Sequence, residues 1–406
     1  MFNIHHHFQI TGTQLKALLP LTFCLLISTL VNGQEMNWYK GNLHTHSYWS
    51  DGDEFPEMIM EWYKDHDYQF VALSDHNIIA EGVKAKTISE EDLYQKAFEN
   101  YLAKYGEDWI NYRRNKNGLQ VQLKTLEEFR PLFEEPEKFM IFKAEEVTSY
   151  LDEKAVHMGA INVQQVIQPA DGNSIPELIQ NNLDAIKAQA EETGEPILQH
   201  LNHPNFTYAI TAEDIIELDG ERFFEVFNGH PYVNNYGDSI HDSTEQMWDQ
   251  VNIAYHAMKK PLLLGIATDD SHHYHKYGAK FSNAGRGWVE VRAAELSPRA
   301  IIEAMEAGDF YASTGVELKT IEFENDELSV LVKPKKNVQY SIQFIGVKKG
   351  STQSEVLKEV EGSEATYHLS DDVLFVRAKI ISDKIKKNPY REGDTEVAWT
   401  QPVLKN

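Results

Sequence analysis

The sequence predicts an α/β fold, a closed parallel barrel followed by a small antiparallel β-domain, and three observations lead there. Apolar strand-like runs alternate with helix-forming stretches up to residue 316, the pattern of a parallel sheet. His, Asp and Glu residues recur at the ends of those runs, and ligands delivered one strand at a time to a common end are what a parallel barrel offers an active site. Beyond residue 316 the pattern changes to short alternating runs separated by charged and Gly-containing turns, which predicts an antiparallel β-sandwich over 317–406.

Taken in order, the first strand run ends at Leu43, and the others cover 70–73, 140–147, 156–163, 197–201, 223–227 and 262–267. Helical spacing of apolar residues marks 56–66, 174–192 and 243–260, with Pro56 suited to a first helical turn. The stretch 81–138 is far longer than a usual strand-to-helix connection. Rich in Tyr and charge, it reads as a helical insertion, either a lid over a site or a solvated outer decoration. Past 316, the runs 328–332, 340–344 and 374–378 supply the sandwich strands.

The N-terminus sets the compartment. Lys16 precedes an apolar run over 17–31 that is too short for an ordinary membrane span. Residues 1–33 therefore read as a signal peptide, making 34–316 the barrel of a secreted or periplasmic protein with no stable membrane insertion. Cys24, the only cysteine, leaves with that segment, as do His5 to His7. Any metal ligands of the mature chain must then be N and O donors. With 42% hydrophobic and 11% aromatic residues the chain can fill one large core and a small one. Its formal net charge of -25 should repel nucleic acid and anionic membrane surfaces.

Chemistry concentrates in Asn42-Leu43-His44-Thr45-His46, Ser50-Asp51-Gly52 and Leu73-Ser74-Asp75-His76. Two histidines two apart on an extended strand point to the same side and can reach one ion together. Imidazole suits zinc, iron or manganese, and Asp51 and Asp75 add charge that favours a divalent cation. Later runs add Glu145-Glu146-Val147-Thr148, His157, His200-Leu201-Asn202-His203-Pro204 and Asp269-Asp270-Ser271-His272-His273. Of the adjacent Glu145 and Glu146 only one can face a site from a strand, and Asp269 and Asp270 pose the same choice.

This order of motifs resembles the polymerase and histidinol phosphatase (PHP) superfamily over about residues 38–316. The resemblance implies a distorted (β/α)7 TIM-like barrel, a metal-dependent phosphoesterase activity and two or three divalent ions, Mn, Zn or Fe. Carried over position by position, His44, His46, Glu146 and Asp270 would hold the first ion. Glu146, His157 and His203 would hold the second, and Asp51, His76 and His272 the third. The Glu-Val-Thr motif favours Glu146 over Glu145, and the Asp-x-His motif favours Asp270, leaving Asp269 a supporting carboxylate. Asp51 stands where some members carry His. The context of Glu-Val-Thr and the ending 308–315 are similar to a secreted branch of carbaryl-hydrolase-like proteins.

A water or hydroxide bridging two such ions could attack phosphorus or a carbonyl without a side-chain nucleophile. Neither a Gly-rich phosphate loop nor a Gly-x-Ser-x-Gly elbow is present in the sequence. In Asn228-Gly229-His230-Pro231, His230 is either a proton donor to a leaving group or a surface-loop histidine. Arg286, between Gly285 and Gly287, either grips a substrate phosphate or pairs with a carboxylate, while His273 and His275 line the rim. The expectation is hydrolysis of a small-molecule or glycan-linked phosphoester, with the oligomeric state open. Carboxyl-ester or carbamate hydrolysis and non-catalytic metal binding are the alternatives.

Overall fold

The computed structural model describes residues 35–405, so the expected signal peptide lies outside the described residues. In chain order the elements begin with β1 (Asn37–Asn42), α1 (Pro56–Asp65), β2 (Phe70–Leu73), β3 (Ala85–Ile88), α2 (Asp92–Tyr105), β4 (Tyr112–Asn115), β5 (Gly118–Gln122) and α3 (Leu126–Phe133). There follow β6 (Met140–Leu151), β7 (Lys154–Ile161), α4 (Ile175–Thr193), β8 (Leu198–Leu201), α5 (Ala212–Ile216), β9 (Phe223–Asn228), α6 (Thr244–Met258), β10 (Leu264–Thr268), β11 (Trp288–Ala293), α7 (Pro298–Glu306) and β12 (Phe310–Ser313). The last elements are β13 (Leu318–Glu324), β14 (Glu327–Val332), β15 (Tyr340–Lys348), β16 (Glu355–Glu361), β17 (Glu364–His368), β18 (Val373–Ile385), β19 (Thr395–Thr400) and β20 (Val403–Leu404).

Helix ends follow local chemistry. In α1 Pro56 occupies the first turn, where its missing N–H costs nothing, and Ile59, Met60 and Tyr63 form the buried face. Ser174 caps α4 by accepting Glu177 N, and Gly194 closes it in the left-handed conformation that glycine adopts freely. Ser243 and Gln246 form a reciprocal capping box on α6.

The strands make a large mixed sheet in the order β10-β9-β8-β7-β6-β2-β1-β11-β12-β19-β18-β15-β16, with β20 beside β18. The pairs β1–β2, β2–β6, β8–β9 and β9–β10 are parallel. The expected all-parallel arrangement fails at β7, which runs antiparallel to both β6 and β8. Its cause is covalent: Leu151 pairs with Lys154 across a two-residue turn, whereas a parallel neighbour needs a crossover of a dozen residues or more. Also antiparallel is β11, to β1 and to β12. Among the described residues no ladder closes a barrel. Where β10 and β1 would meet there is a single bridge, Thr45 to Ser271, just beyond both strands.

The 81–138 stretch is not purely helical: between α2 and α3 it holds β4 and β5, which with β3 form a three-stranded antiparallel sheet. Phe98, Tyr101, Leu119, Val121 and Phe129 share one core with Tyr48, Phe55, Ile59 and Tyr63, so the insertion braces the segment between β1 and α1. The expected separate sandwich is also different in kind. One layer is the small sheet β13-β14-β17, but the other is the continuation of the large sheet through β12 to β19. The two layers bury Leu328, Val330, Ile342, Phe344 and Ile380 between them. No described helix is long and apolar enough to cross a membrane.

Candidate metal centre

At the end of β1, Asn42 Nδ2 donates to His44 O at 2.9 Å and Thr45 Oγ1 at 2.5 Å, setting the turn that sends His44 and His46 into the interior, both fully buried. Asp75, beyond β2, accepts from Ser47 N and Ser47 Oγ at 2.8 Å and from Ser50 Oγ at 2.6 Å. The charge expected of Asp75 at the ion is instead spent bracing the turn that presents Asp51. His76 follows, its Nδ1 2.7 Å from Thr148 Oγ1 on β6.

The two acidic pairs divide, Glu145 and Glu146 by the alternation of β6 and Asp269 and Asp270 by a turn just beyond β10. Glu146 enters the cluster, while Glu145 accepts Ile167 N at 2.5 Å on the other face, where burial pushes its carboxyl up to about 7. Asp270 enters the cluster, while Asp269 accepts the amides of Gly285, Arg286 and Gly287 at 2.9, 2.6 and 2.9 Å. Asp270 and His203 have φ of +47° and +23°, a left-handed backbone that residues with side chains adopt only under constraint and that gathers at functional sites.

All nine positions singled out as ligands come together in overlapping groups whose ligand atoms lie within 4.8 Å of one another: His46, Asp51, His76 and His272; His44, His203 and Asp270; His44, His46 and Glu146; His76, Glu146 and His157. The partition differs from the one the resemblance implies, because His203 groups with His44 and Asp270, and His76 belongs to two groups. Glu146 is the hub: its Oε1 lies 3.1 Å from His44 Nε2, 3.1 Å from His157 Nδ1 and 3.2 Å from His203 Nε2. The array is graded from inside to outside. His44 and Glu146 are sealed, the His272 and His76 side chains are 13% and 24% exposed, and Asp51 at 58% marks the mouth.

Electrostatics follow from this crowding. Burial disfavours charge on His44, yet Asp270, Glu146 and Glu225 raise its pKa well above the ordinary value. Burial likewise opposes charge on His76, but Glu146 and Asp51 lift it to about 11. His46 goes the other way, to about 3, through burial and the neighbouring His272 and His76. Glu146 and Asp270 are held well below the carboxylate range by the surrounding imidazoles, against burial. The carboxylates thus demand positive charge, from imidazolium or from bound cations.

The polar atoms of the cluster fit cations. Among the described residues, His44 Nε2, His46 Nε2, His157 Nε2 and Glu146 Oε2 are buried and make no aligned hydrogen bond, although other cluster atoms crowd them, His44 Nε2 3.1 Å from Glu146 Oε1 and Glu146 Oε2 2.8 Å from His76 Nδ1. Buried groups without partners are costly, and a set of N and O donors converging on shared space is what a divalent ion satisfies. The buried His, Asp and Glu groups could hold several metal ions.

A supporting shell escaped the sequence reading. Glu225, buried on β9, has Oε1 2.7 Å from His44 Nδ1 and 2.7 Å from Thr268 Oγ1. Its Oε2 accepts His203 N at 2.8 Å and Asn228 Nδ2 at 2.7 Å. Donation from His44 Nδ1 to this carboxylate leaves the Nε2 lone pair facing inward. Asn202 Nδ2 donates to Glu146 Oε1 at 2.7 Å. The available signals were an acid inside the apolar run Phe223–Phe227 and an amide one place before His203.

His230 stands beside the array, its ring 5.4 Å from that of His272. Its Nδ1 accepts Tyr232 N at 3.2 Å, which puts the proton of the neutral ring on Nε2. Burial lowers its pKa to about 4. Arg286 does not offer its fork to a ligand. It is fully buried and donates through Nη1 to Gly229 O at 2.8 Å and through Nη2 to Gly278 O at 2.9 Å, with Asn388 Oδ1 3.2 Å from Nη2. His275 pairs with Glu54 at 3.2 Å, and His273 Nδ1 accepts Ser282 N at 3.2 Å.

The family model of immunity protein 65 matches residues 20–204, which takes in His44 through His203 and ends before Asp270 and His272. No curated protein matches the chain. Among solved structures, the chain is similar to a two-domain protein from Bacteroides vulgatus with a predicted PHP-like metal-dependent phosphoesterase (TM-score 0.42, 12% identity, 90% of this chain and 95% of that one). It is also similar to a protein from Bifidobacterium adolescentis considered to be a metal-dependent phosphoesterase (TM-score 0.29, 14% identity, 60% of this chain and 91% of that one). An amidohydrolase from Chromobacterium violaceum with bound sulfate and no metal matches at TM-score 0.27 and 12% identity, over 57% of this chain and 87% of that one.

Proposed function

We propose that the chain is a metal-dependent phosphoesterase of the PHP type. The observation that carries this reading is the set of buried ligand atoms of His44, His46, His157 and Glu146, crowded on one another without aligned hydrogen bonds. His44, His46, His157, His203, Glu146 and Asp270 would hold ions at the sealed end, and Asp51, His76 and His272 at the mouth. Bound divalent ions would supply Lewis acidity toward a phosphoryl oxygen and a lowered pKa for water. The chain's own residues do the rest. Glu225 holds the His44 ring by its Nδ1, Thr148 holds His76, and Asn202 steadies Glu146. His230 presents an Nε2 proton beside His272 for hydrogen bonding to a substrate or leaving-group oxygen.

The test is hydrolysis of nitrophenyl phosphate, the bis-nitrophenyl phosphodiester and a nitrophenyl carboxyl ester by protein stripped of metal and reloaded with manganese, zinc or iron. Preference for a phosphoester restored by metal, and its loss in Asp270→Ala, is the expected result. A metal-restored preference for the carboxyl ester would transfer the site to carboxyl-ester hydrolysis, and inertness of the loaded protein toward the whole panel would sink the enzymatic reading. His230→Gln should retain substrate affinity and lose about 10²-fold in kcat.

A further inference from the structure

Linked to the metal cluster through Gly229, Arg286 and Asn388 lies a cavity of about 600 Å³ whose character is opposite to that of the protein as a whole. In a chain of net charge -25 its walls carry Lys40, Lys335, Lys384, Lys386 and Lys387, against the carboxylates Glu317 and Glu396. Those carboxylates are already matched: Lys384 Nζ is 2.6 Å from Glu396, and Lys335 Nζ is 3.4 Å from Glu396 and 3.5 Å from Glu317. Lys40 donates to His66 O and lies 3.7 Å from the centre of the Tyr68 ring.

Lys386 is different. It is 9% exposed, among the described residues its ammonium has neither a hydrogen bond nor an ion pair, and it rests 4.6 Å from the centre of the Phe227 ring. Burial pushes its pKa down to about 8, partly offset by Asp394. A buried ammonium with no carboxylate in direct contact is costly, and an anion entering the cavity would relieve that cost. Trp62 and Trp288 line the same walls, the Trp62 ring stacked on His66 at 3.9 Å, and supply apolar surface for a ring or sugar.

We propose that this cavity binds the oxyanion group of a small ligand, with Lys386 as its anchor, Lys387 at the rim and the ligand's ring or sugar body against Trp62 and Trp288. The anion is a carboxylate or a phosphate, two carriers of one chemistry. The site stands apart from the metal ligands and does not depend on the phosphoesterase reading.

Titration of the metal-loaded protein with inorganic phosphate, glucuronate and neutral glucose, followed by tryptophan fluorescence, tests it. Saturable binding of an anion that persists in His44→Ala and weakens at least about tenfold in Lys386→Met is expected, with no response to glucose. Tighter binding of glucuronate would identify a sugar acid, and tighter binding of phosphate a phosphate ester. Should Lys386→Met fail to fold, Lys387→Ser serves instead, with a loss of about threefold expected. Unchanged affinity in the folded lysine variant, or glucose binding as tightly as glucuronate, overturns the proposal.

Discussion

At the residue scale the cluster rests on carboxylates that never reach its centre. Glu225 accepts four polar groups at once, from His44, Thr268, His203 and Asn228. Glu225→Gln keeps the shape and loses the charge that fixes the His44 tautomer, so metal affinity should fall about 10- to 100-fold with circular dichroism unchanged. Unaltered affinity in a metal-competition titration would reduce Glu225 to packing. Glu221 gives a pH prediction independent of the cluster. It is 1% exposed, and burial raises its carboxyl to about 8, the amides of Phe223 and Arg222 offsetting part of that. The folded state therefore holds this proton more tightly than the unfolded chain, and stability declines as pH rises from about 4.3 toward 8. Glu221→Gln should melt higher than wild type at pH 8.5 by the equivalent of a few kcal/mol, and within error of it at pH 4. Equal melting at both pH values would refute the assignment. The cluster residues were legible in the sequence because histidine and acid recur at run ends. Glu225 was not, since a lone acid among Phe223, Phe224, Val226 and Phe227 has no spacing partner to announce it. Nor could sequence tell that Arg286 spends its donors on Gly229 and Gly278, because its acceptors are backbone carbonyls, which no side-chain pattern announces.

At the element scale the β6–β7 hairpin delivers both Glu146 and His157 to the cluster. Its register sets Glu146 opposite Gly159 and Thr148 opposite His157, so the hub carboxylate and a histidine eleven positions later reach the cluster from one local unit. Gly159 has no side chain for a reason: a Cβ there would lie 2.1 Å from His200 Nε2. Gly159→Ala should cost about 1–3 kcal/mol in denaturant unfolding, and Gly159→Ala with His200→Ala should recover part of it, the coupling sign expected for two groups competing for one space. Additive losses would argue against that contact. The apolar runs 140–147 and 156–163 were readable as strands, but their relative direction was not. It is decided by the turn at 152–153, which carries no Gly or Asn-Gly signal.

At the scale of the whole molecule, cations bound by the native cluster and not by the unfolded chain would add stability by mass action, about 4 kcal/mol at a thousandfold excess over Kd. Chelation should lower the melting temperature by several degrees and resupply should restore it, whereas indifference to chelator would remove the cations from the fold's energetics. Alternation of strand and helix showed the α/β class in advance. Closure and the standing of the last ninety or so residues were hidden, because ladder partners such as Ala312 and Trp399 lie far apart in the chain. That pairing has a genetic meaning. A gene ending after residue 316 would leave β12 with the hydrogen-bonding groups that β19 satisfies, at Tyr311, Ala312 and Ser313, open to any passing strand. Such a shortened product should accumulate as aggregate, and this stretch of chain should be inherited with the portion that carries the histidine cluster or not at all, a partner in descent instead of an exchangeable appendage.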